Sequence, residues 1–410
     1  MPSAEDGDPV MAEPQRGALT GLRVIDLGTM IAGPLCCTLM ADHGADVIKI
    51  EQPRVGDPLR AWTPMVDGVS LWWKVTARNK RLVTLNLGHP DGARLFKRLM
   101  SSADIVVENF RPGTMEKWGL GYPQLEALHP GIILVRISGF GQTGPYSQRP
   151  GYGTVAEAMS GMPAFTGVAG GAPQLSSFPL ADTVAATFAA LGAVMAIYNR
   201  YQTGRGQEID VSLFEPLFRL VESQVIAYDQ LGLVKKRVGN RLEEDAPRNV
   251  YETSDGKYLV LSASSPRTWA RLTSAMDRAD LLADPRFENN ASRCANVDAL
   301  DAIVGAWMRT HTLQDAMATF ELHDVVAGPI YDIEDIFHDA QFQARQAIVQ
   351  IVDPDLGAVK MPDVVPRFGR TPGGVRHPGL GLGHDNEAVY RGELGLDERQ
   401  YEQLRSAGAV

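Results

Sequence analysis

The sequence predicts an α/β fold: a mostly parallel sheet with helices on its faces, followed by a smaller α+β domain. Three observations carry this. Between Leu22 and Phe140, short apolar runs alternate with segments of helical periodicity, the pattern of a parallel sheet wrapped by helices. A long, almost wholly apolar segment, Thr183 to Tyr198, follows and reads as a buried helix. A charge-rich connector, LVKKRVGNRLEEDAPRN (Leu233 to Asn249), then leads into a hairpin signal and a set of amphipathic helices.

The elements follow in order. LRVIDL (Leu22 to Leu27) is a strand, Ala32 to Gly44 a helix ending on glycine, and ADVIKIE (Ala45 to Glu51) the next strand. RLVTLNL (Arg81 to Leu87), ADIVVENF (Ala103 to Phe110) and GIILVRISGFG (Gly131 to Gly141) are further strands, separated by helices at Asp91 to Ala103 and Pro123 to Leu128. YETSDGKYLVLSAS (Tyr251 to Ser264) is a hairpin turning at Asp255–Gly256. WARLTSAM, VDALDAIVGAWM and LQDAMATFELHDV are amphipathic helices. From Ala347 the chain reads as strand and loop, ending in an ordered Gly/Pro-rich tail or wrap. The boundaries expected are a disordered tail over 1–18, a large domain over 19–232, a linker over 233–249, a small domain over 250–345 and a return segment over 346–410.

Composition narrows the function. A net charge of −10 argues against nucleic acid or an anionic membrane as the main partner. The three cysteines, Cys36, Cys37 and Cys294, have no metal-ligand spacing, and an odd number suits a reducing, cytoplasmic setting. The acidic, Pro-rich N-terminus has no apolar core of a signal peptide. No run of about 18 purely apolar residues occurs, so no membrane span is expected. The eight histidines are scattered and form no metal pair, so no metal site is expected.

Asp182 is the most informative residue, a lone carboxylate between SSFPLA (Ser176 to Ala181) and the apolar segment. One reading is a helix N-cap; the other is a nucleophilic carboxylate of the kind that forms covalent intermediates. RNKR (Arg78 to Arg81) and VENFRPGTMEK (Val107 to Lys117) place basic side chains at strand ends, which reads either as a phosphate site or as a solvated basic rim. Gly139 to Gly144 spells GxGxxG, but Pro145 follows it instead of a helix, so it is no dinucleotide fingerprint. The Gly-rich stretch Gly161 to Pro173, and the turn Val238–Asn240, offer backbone amides to an oxyanion.

Taken together these segments resemble the family III CoA-transferases, the formyl-CoA and carnitine CoA-transferase group that also contains alpha-methylacyl-CoA racemases. The resemblance spans about Leu19 to Pro378 and rests on GLRVIDLGTMIAGP, GADVIKIEQPRVGD, RNKR, VENFRPG, ISGFGQTGPYSQRPGY, the ADT at Asp182, TGRGQEIDVSLFE and VVAGPIYDIEDIF in this order. It implies a Rossmann-like large domain, an interlocked homodimer and a catalytic aspartate at Asp182. It also implies CoA contacts at Ile31 and Ala32, at Leu85, Asn86, Leu87 and Gly88, at Asn109, Phe110 and Arg111, at Lys117, and at Ser138, Gly139, Phe140 and Gly141. The implied chemistry is CoA transfer from an acyl-CoA, with a small dicarboxylic donor such as succinyl-CoA, to a carboxylic acid through an aspartyl anhydride and an aspartyl-CoA thioester. CoA esters are substrates here, and no cofactor is needed.

Departures from the family pattern shape the expectation. Ile31 stands where the formyl-CoA enzyme has glutamine, and Gln52 where an arginine is common. Tyr152 and Gly153 stand where the racemases carry a His-Asp pair. Racemisation needs a second acid/base group, so transfer is preferred to racemisation, with a non-catalytic CoA-ester-binding protein as the remaining alternative. Arg149, Arg241 and Arg248 are unassigned arginines able to clamp a distal carboxylate.

Overall fold

Parallel strands buried on both faces read as nearly unbroken apolar runs. The computed structural model, which describes residues 17–410, sets six strands side by side in one sheet. The chain opens with β1 (Arg23–Asp26), α1 (Ala32–Asp42) and β2 (Asp46–Glu51), then a small hairpin of β3 (Met65–Val66) and β4 (Val69–Ser70), and α2 (Leu71–Thr76). It continues through β5 (Lys80–Thr84), α3 (Pro90–Met100), β6 (Ile105–Glu108), α4 (Thr114–Lys117), α5 (Tyr122–Leu128) and β7 (Ile133–Ser138). Next come α6 (Gly153–Met159), α7 (Met162–Phe165), α8 (Leu180–Thr203), β8 (Glu208–Ser212), α9 (Glu215–Leu220) and α10 (Ser223–Leu231).

The large sheet has the order β5-β2-β1-β6-β7-β8, and each neighbouring pair is parallel. Ile25 of β1 faces Ile48 of β2 on one side and Val106 of β6 on the other. The chain walks outward from β1 to β5, then resumes at β6 on the opposite side of β1. Such a reversal leaves a crevice at the carboxyl ends of the two strands, where ligands of open α/β sheets bind. Ile25, Ile48, Val83, Val106 and Leu134 pack with Leu95, Phe96 and Leu99 of α3 into one core. Burying a side chain such as Phe96 contributes about 2–3 kcal/mol.

Two elements differ from the sequence reading. β8 was not expected as a strand: E-I-D-V-S alternates exposed and half-buried residues, the mark of an edge strand with one wet face. Helix α8 was expected to be buried all round, yet only one face is. Ala181, Ala185, Ala186, Ala189, Ala193, Ala196 and Ile197 are buried, and the helix packs on α1 and β7. Leu191, Met195, Tyr198 and Tyr201 are exposed. By length and composition alone α8 is apolar enough to cross a bilayer. The expectation of no such segment overlooked how alanine, threonine and glycine extend an apolar run without bulk.

By its contacts the described chain divides into two units. The first comprises residues 17–160, Ser176–Glu222 and Ala344–Val410. The second comprises Gly161–Leu175 and Ser223–Gln343. It holds a sheet ordered β11-β10-β9, formed by β9 (Arg248–Glu252), β10 (Tyr258–Ser262) and β11 (Ala327–Pro329). The expected turn is present, with Gly256 in the left-handed region at φ 72°. Around this sheet lie α11 (Pro266–Ala275), α12 (Asn290–Ala295), α13 (Val297–Met308) and α14 (Leu313–Leu322), with a core of Trp269, Leu272, Phe287, Val304 and Phe320. The Gly-rich stretch groups with this second unit because Arg237 donates to Gly171 O at 2.8 Å and Ala164 O at 2.6 Å. Helices α15 (Ile333–His338) and α16 (Ala340–Ala344) lead to a hairpin of β12 (Ile348–Asp353) and β13 (Gly357–Pro362), and the chain closes with α17 (Glu398–Ser406).

Of the tail expected over 1–18, residues 1–16 lie outside the described residues. Gly17 already belongs to a turn closed by the Thr20 N–H at 3.1 Å. The return segment bonds along β5: Leu82 N–H donates to Asp385 Oδ2 at 2.7 Å, Thr84 N–H to Asn386 Oδ1 at 2.8 Å, and Tyr390 OH to Thr84 O at 2.8 Å.

Candidate active site

The loop after β1 is set by buried charges. Lys80 Nζ lies 2.9 Å from Asp26 Oδ2 and Lys49 Nζ lies 3.0 Å from Asp57 Oδ2, all four residues being buried. Asp57 Oδ1 accepts the N–H of Met30 at 3.0 Å, which holds Met30 in the left-handed region at φ 63°. Burial works against the charge on Lys49, but Asp26 and Asp57 outweigh it, so its pKa lies above the ordinary lysine value. Burial likewise pushes the Asp57 carboxyl up, but Lys49 and the N–H groups of Leu59 and Met30 hold it below the usual range.

Ile31 and Ala32 follow at the start of α1. The Ile31 side chain is buried with Leu59, Trp73 and Leu82. It faces the core, so this position offers no polar side chain to a ligand.

The turn after β6 is clamped at both ends. Asn109 donates through Nδ2 to Thr29 O at 2.8 Å and accepts the Thr29 N–H at 2.7 Å, stitching the β6 turn to the β1 loop across the crevice. Glu108 accepts the Phe110 N–H at 2.6 Å and the Arg136 guanidinium at 2.7 Å. Burial drives its carboxyl up to about 7, against the pull of Arg136. Arg136 also binds Glu116 of α4 at 2.7 Å. The Phe110 ring meets Trp118 edge-on at 5.3 Å. Arg111 and Lys117 are exposed, and neither forms an ion pair among the described residues.

The remaining expected positions end two other strands of the same edge. Leu85 and Leu87 follow β5 and point into the core, while Asn86 Oδ1 accepts the N–H of exposed Gly88 at 3.1 Å. Ser138 closes β7 and, with Gly139, Phe140 and Gly141, opens a turn in which Gly141 is left-handed at φ 83°. Gln142 N–H there donates to Asp210 Oδ2 at 2.9 Å. The sequence-predicted CoA positions thus follow β1, β5, β6 and β7 on one carboxyl edge.

RNKR behaves differently from its reading as a phosphate site. Arg78 binds Asp42 at 2.6 Å, Asn79 the same carboxylate at 2.7 Å, Lys80 binds Asp26, and Arg81 binds Asp46 at 2.6 Å. All four side chains are engaged inside the fold.

Asp182 is the third residue of α8, not its N-cap, which is Pro179 with no capping side chain. It is half-buried, and no cation lies within ion-pair distance among the described residues. Burial pushes its carboxyl up to about 6, opposed only by its own backbone N–H. The carboxylate sits against bare backbone: a β-carbon on Gly153 would overlap Asp182 Oδ2. Glu157, four residues along α6, is buried and accepts Ser176 N–H at 2.7 Å and Ser176 Oγ at 2.9 Å. An isolated carboxylate that is ionised at neutral pH and poorly hydrated is a competent nucleophile.

Among the candidate arginines, Arg241 is bridged to Asp298 at 2.7 Å and Asp301 at 2.6 Å. Arg149 lies 3.7 Å over the Tyr146 ring, and neither it nor Arg248 forms an ion pair among the described residues. The two amide-rich stretches read as oxyanion candidates are bonded to each other, Gly239 N–H to Gly167 O at 2.9 Å. No cluster of three or more His, Cys, Asp or Glu that could hold a metal occurs among the described residues. Sequence reasoning missed the Lys49–Asp57 and Glu108–Arg136 clamps and Glu157. A signal for the first two existed: a lysine or arginine inside an otherwise apolar strand has to find a buried carboxylate.

Comparison with known proteins bears on this arrangement. Residues 19–386 match the model of CoA-transferase family III. The chain belongs to this family. It is 43% identical over 393 residues to a succinyl-CoA–D-citramalate CoA-transferase of Chloroflexus aurantiacus, covering 96% of this chain and 98% of that one. It is 32% identical over 395 residues to a succinyl-CoA:glutarate CoA-transferase of Mus musculus, covering 96% and 90%. A crystal structure of a CAIB/BAIF family protein from Brucella suis superposes with a TM-score of 0.83 at 33% identity, covering 93% of this chain and all of that one. As a member of family III the protein is a CoA-transferase.

Proposed function

We propose that this enzyme moves CoA from succinyl-CoA, or another small dicarboxylic acyl-CoA, to a carboxylic acid acceptor, with Asp182 as the covalent nucleophile. The observation that carries it is the uncompensated Asp182 carboxylate, raised to about 6 by burial and seated against the bare backbone of Gly153. The substrates named for the relatives support the donor.

Asp182 attacks the thioester carbonyl; the C–S bond breaks and CoA thiolate leaves, giving a mixed anhydride. The thiolate attacks the aspartyl carbonyl, forming an aspartyl-CoA thioester and expelling succinate. The acceptor carboxylate attacks that thioester, giving a second anhydride and free thiolate. The thiolate then attacks the acceptor's carbonyl, releasing the new CoA ester and restoring Asp182. Each C–S bond broken is matched by one formed, so the acyl energy is kept. Water has to stay out, since it would hydrolyse either anhydride.

The crevice edge formed by Ile31, Ala32, Leu85–Gly88, Asn109–Arg111, Lys117 and Ser138–Gly141 is the proposed CoA site, with Arg111 and Lys117, which form no ion pair among the described residues, meeting phosphates. Arg149 and Arg248, which have no acidic partner among the described residues, are the candidates for a distal carboxylate. Racemisation is disfavoured because Tyr152, 79% exposed, and side-chainless Gly153 supply no second acid/base group. The outward apolar side chains of α8, Leu191, Met195 and Tyr198, support a homodimer, and three free cysteines a cytoplasmic setting.

The test is a panel of succinyl-, acetyl-, formyl- and aromatic acyl-CoA donors with citramalate, malate and glutarate acceptors. New CoA esters should form from succinyl-CoA, with CoA attached to the Asp182 peptide by mass spectrometry before acceptor is added. A monocarboxylic donor preferred tenfold or more in kcat/KM overturns the dicarboxylic assignment.

A further inference from the structure

We propose that Glu157 is a positioning residue for Asp182, holding the approach to α8 so that the carboxylate stays seated on Gly153. The proposal rests on Asp182 being the nucleophile.

Glu157 is 5% exposed, and no cation lies within ion-pair distance among the described residues. Among the described residues the donors to its carboxylate come from one residue: Ser176 N–H at 2.7 Å to Oε1, and Ser176 Oγ at 2.9 Å from each oxygen. A carboxylate withdrawn from water without a cation is costly, and an apolar side chain of similar size would serve packing better. Its presence therefore needs another reason.

Geometry supplies one. Residues four apart on a helix share a face, and side chains lean toward the helix N-terminus. Glu157 thus lies over the turn that begins at Gly153, the residue Asp182 packs against. Ser176 stands six residues before Asp182, in the loop that leads into α8. Helix α8 has no capping side chain, its N-cap being Pro179. Four residues before α8 begins, the Glu157–Ser176 hydrogen bonds tie the incoming chain to α6. Helix α6 thereby grips the nucleophile's segment twice: Gly153 leaves room for the carboxylate, and Glu157 anchors the backbone leading to it. Only burial and its own N–H shift the Asp182 carboxyl, so Glu157 acts through the placement of Ser176 and not through its charge.

The experiment uses the full chain with succinyl-CoA and glutarate, comparing Glu157→Ala, Glu157→Gln, Ser176→Ala and Asp182→Ala. A misplaced reacting group costs on the order of 100-fold in rate, so Glu157→Ala should lower kcat about 100-fold while KM for succinyl-CoA moves less than about threefold. Glu157→Gln keeps an oxygen for the Ser176 N–H and should recover to within about tenfold of the parent. The acid limb of kcat/KM should move to lower pH in Glu157→Ala as Asp182 gains water.

A kcat within threefold of the parent in Glu157→Ala overturns the proposal. So does a loss of kcat that only tracks the folded fraction, with the acid limb unmoved, or a glutamine no better than alanine. Should Glu157→Ala not fold, Ser176→Ala, a half-exposed loop serine, decides: about a fivefold to tenfold fall in kcat at constant KM supports the clamp, and an unchanged kcat refutes it. Activity retained by Asp182→Ala would remove the nucleophile reading itself. An inactive Asp182→Ala beside a normal Glu157→Ala would remove only the clamp.

Discussion

Asp26 and Asp182 are carboxylates of the same unit, and they are held in opposite ways. Asp26 has no exposed surface, but Lys80 lies at 2.9 Å, Lys49 at 3.8 Å, and the Gly28 N–H donates at 3.0 Å. Asp182 keeps some exposure and, among the described residues, has no cation within ion-pair distance and no donor but its own N–H. Burial and residue type do not separate these two carboxylates; the number of partners each one holds does. Arg78 and Arg111 repeat the lesson with the sign reversed, one locked to buried Asp42 and the other bare at a strand end.

The comparison is most exposed at the carboxylates themselves. Asp182→Ala should lower kcat by about 10⁴-fold or more while the melting temperature stays within a few degrees, because a covalent route is lost and a poorly solvated charge removed. Asp26→Ala should cost about 3–5 kcal/mol in a denaturant melt, since it strands buried lysines. Soluble, fully active Asp26→Ala would break the contrast.

The arginines come next. Arg111→Ala or Lys117→Ala should raise KM about 3–30-fold for every CoA ester alike, with kcat unchanged, whereas Arg78→Ala should destabilise the fold instead. An effect on one acyl group alone would move Arg111 and Lys117 out of the phosphate site.

The pH behaviour sharpens the picture further. The proposed mechanism needs ionised Asp182, so kcat/KM should rise with pH through about 6. The folded pKa is raised, so the folded state binds the proton more tightly than the unfolded one. The ionised group therefore costs stability above about pH 6, and that cost fades as pH falls toward the ordinary carboxylate value near 4. Asp182→Asn should be about 1–2 kcal/mol more stable than the parent at pH 7.5, allowing for partial solvent screening, and equal to it near pH 4. An equal difference at both pH values would mean that the gain comes from packing. The smallest effect expected is in Arg149→Ala or Arg248→Ala. One of them should weaken succinyl-CoA relative to acetyl-CoA by about three- to tenfold in kcat/KM.

What the sequence made legible follows from the physics of each element. The buried strands announced themselves because both faces are apolar, and VDALDAIVGAWM matches α13 from Val297 to Met308. Edge strand β8 did not, since one face is wet and its charges mask the pattern. Asp182 was visible as a carboxylate out of place before an apolar run. Its seat was not, because nothing in the order of residues brings Gly153 to face it. RNKR misled for the same reason: the partners that neutralise it, Asp42, Asp26 and Asp46, come from other elements.

The side chains of Asp385, Asn386 and Tyr390 bond the outer edge of β5, where an open sheet would otherwise offer unpaired groups to another chain. This ties the timing of folding to synthesis. On the ribosome, β5 emerges roughly 300 residues before the groups that cover it, a delay on the order of 15–60 s at typical elongation rates. Through that interval the growing chain carries a finished strand with a bare flank, and a chaperone able to shield such a flank would raise the yield of the enzyme without altering the folded product.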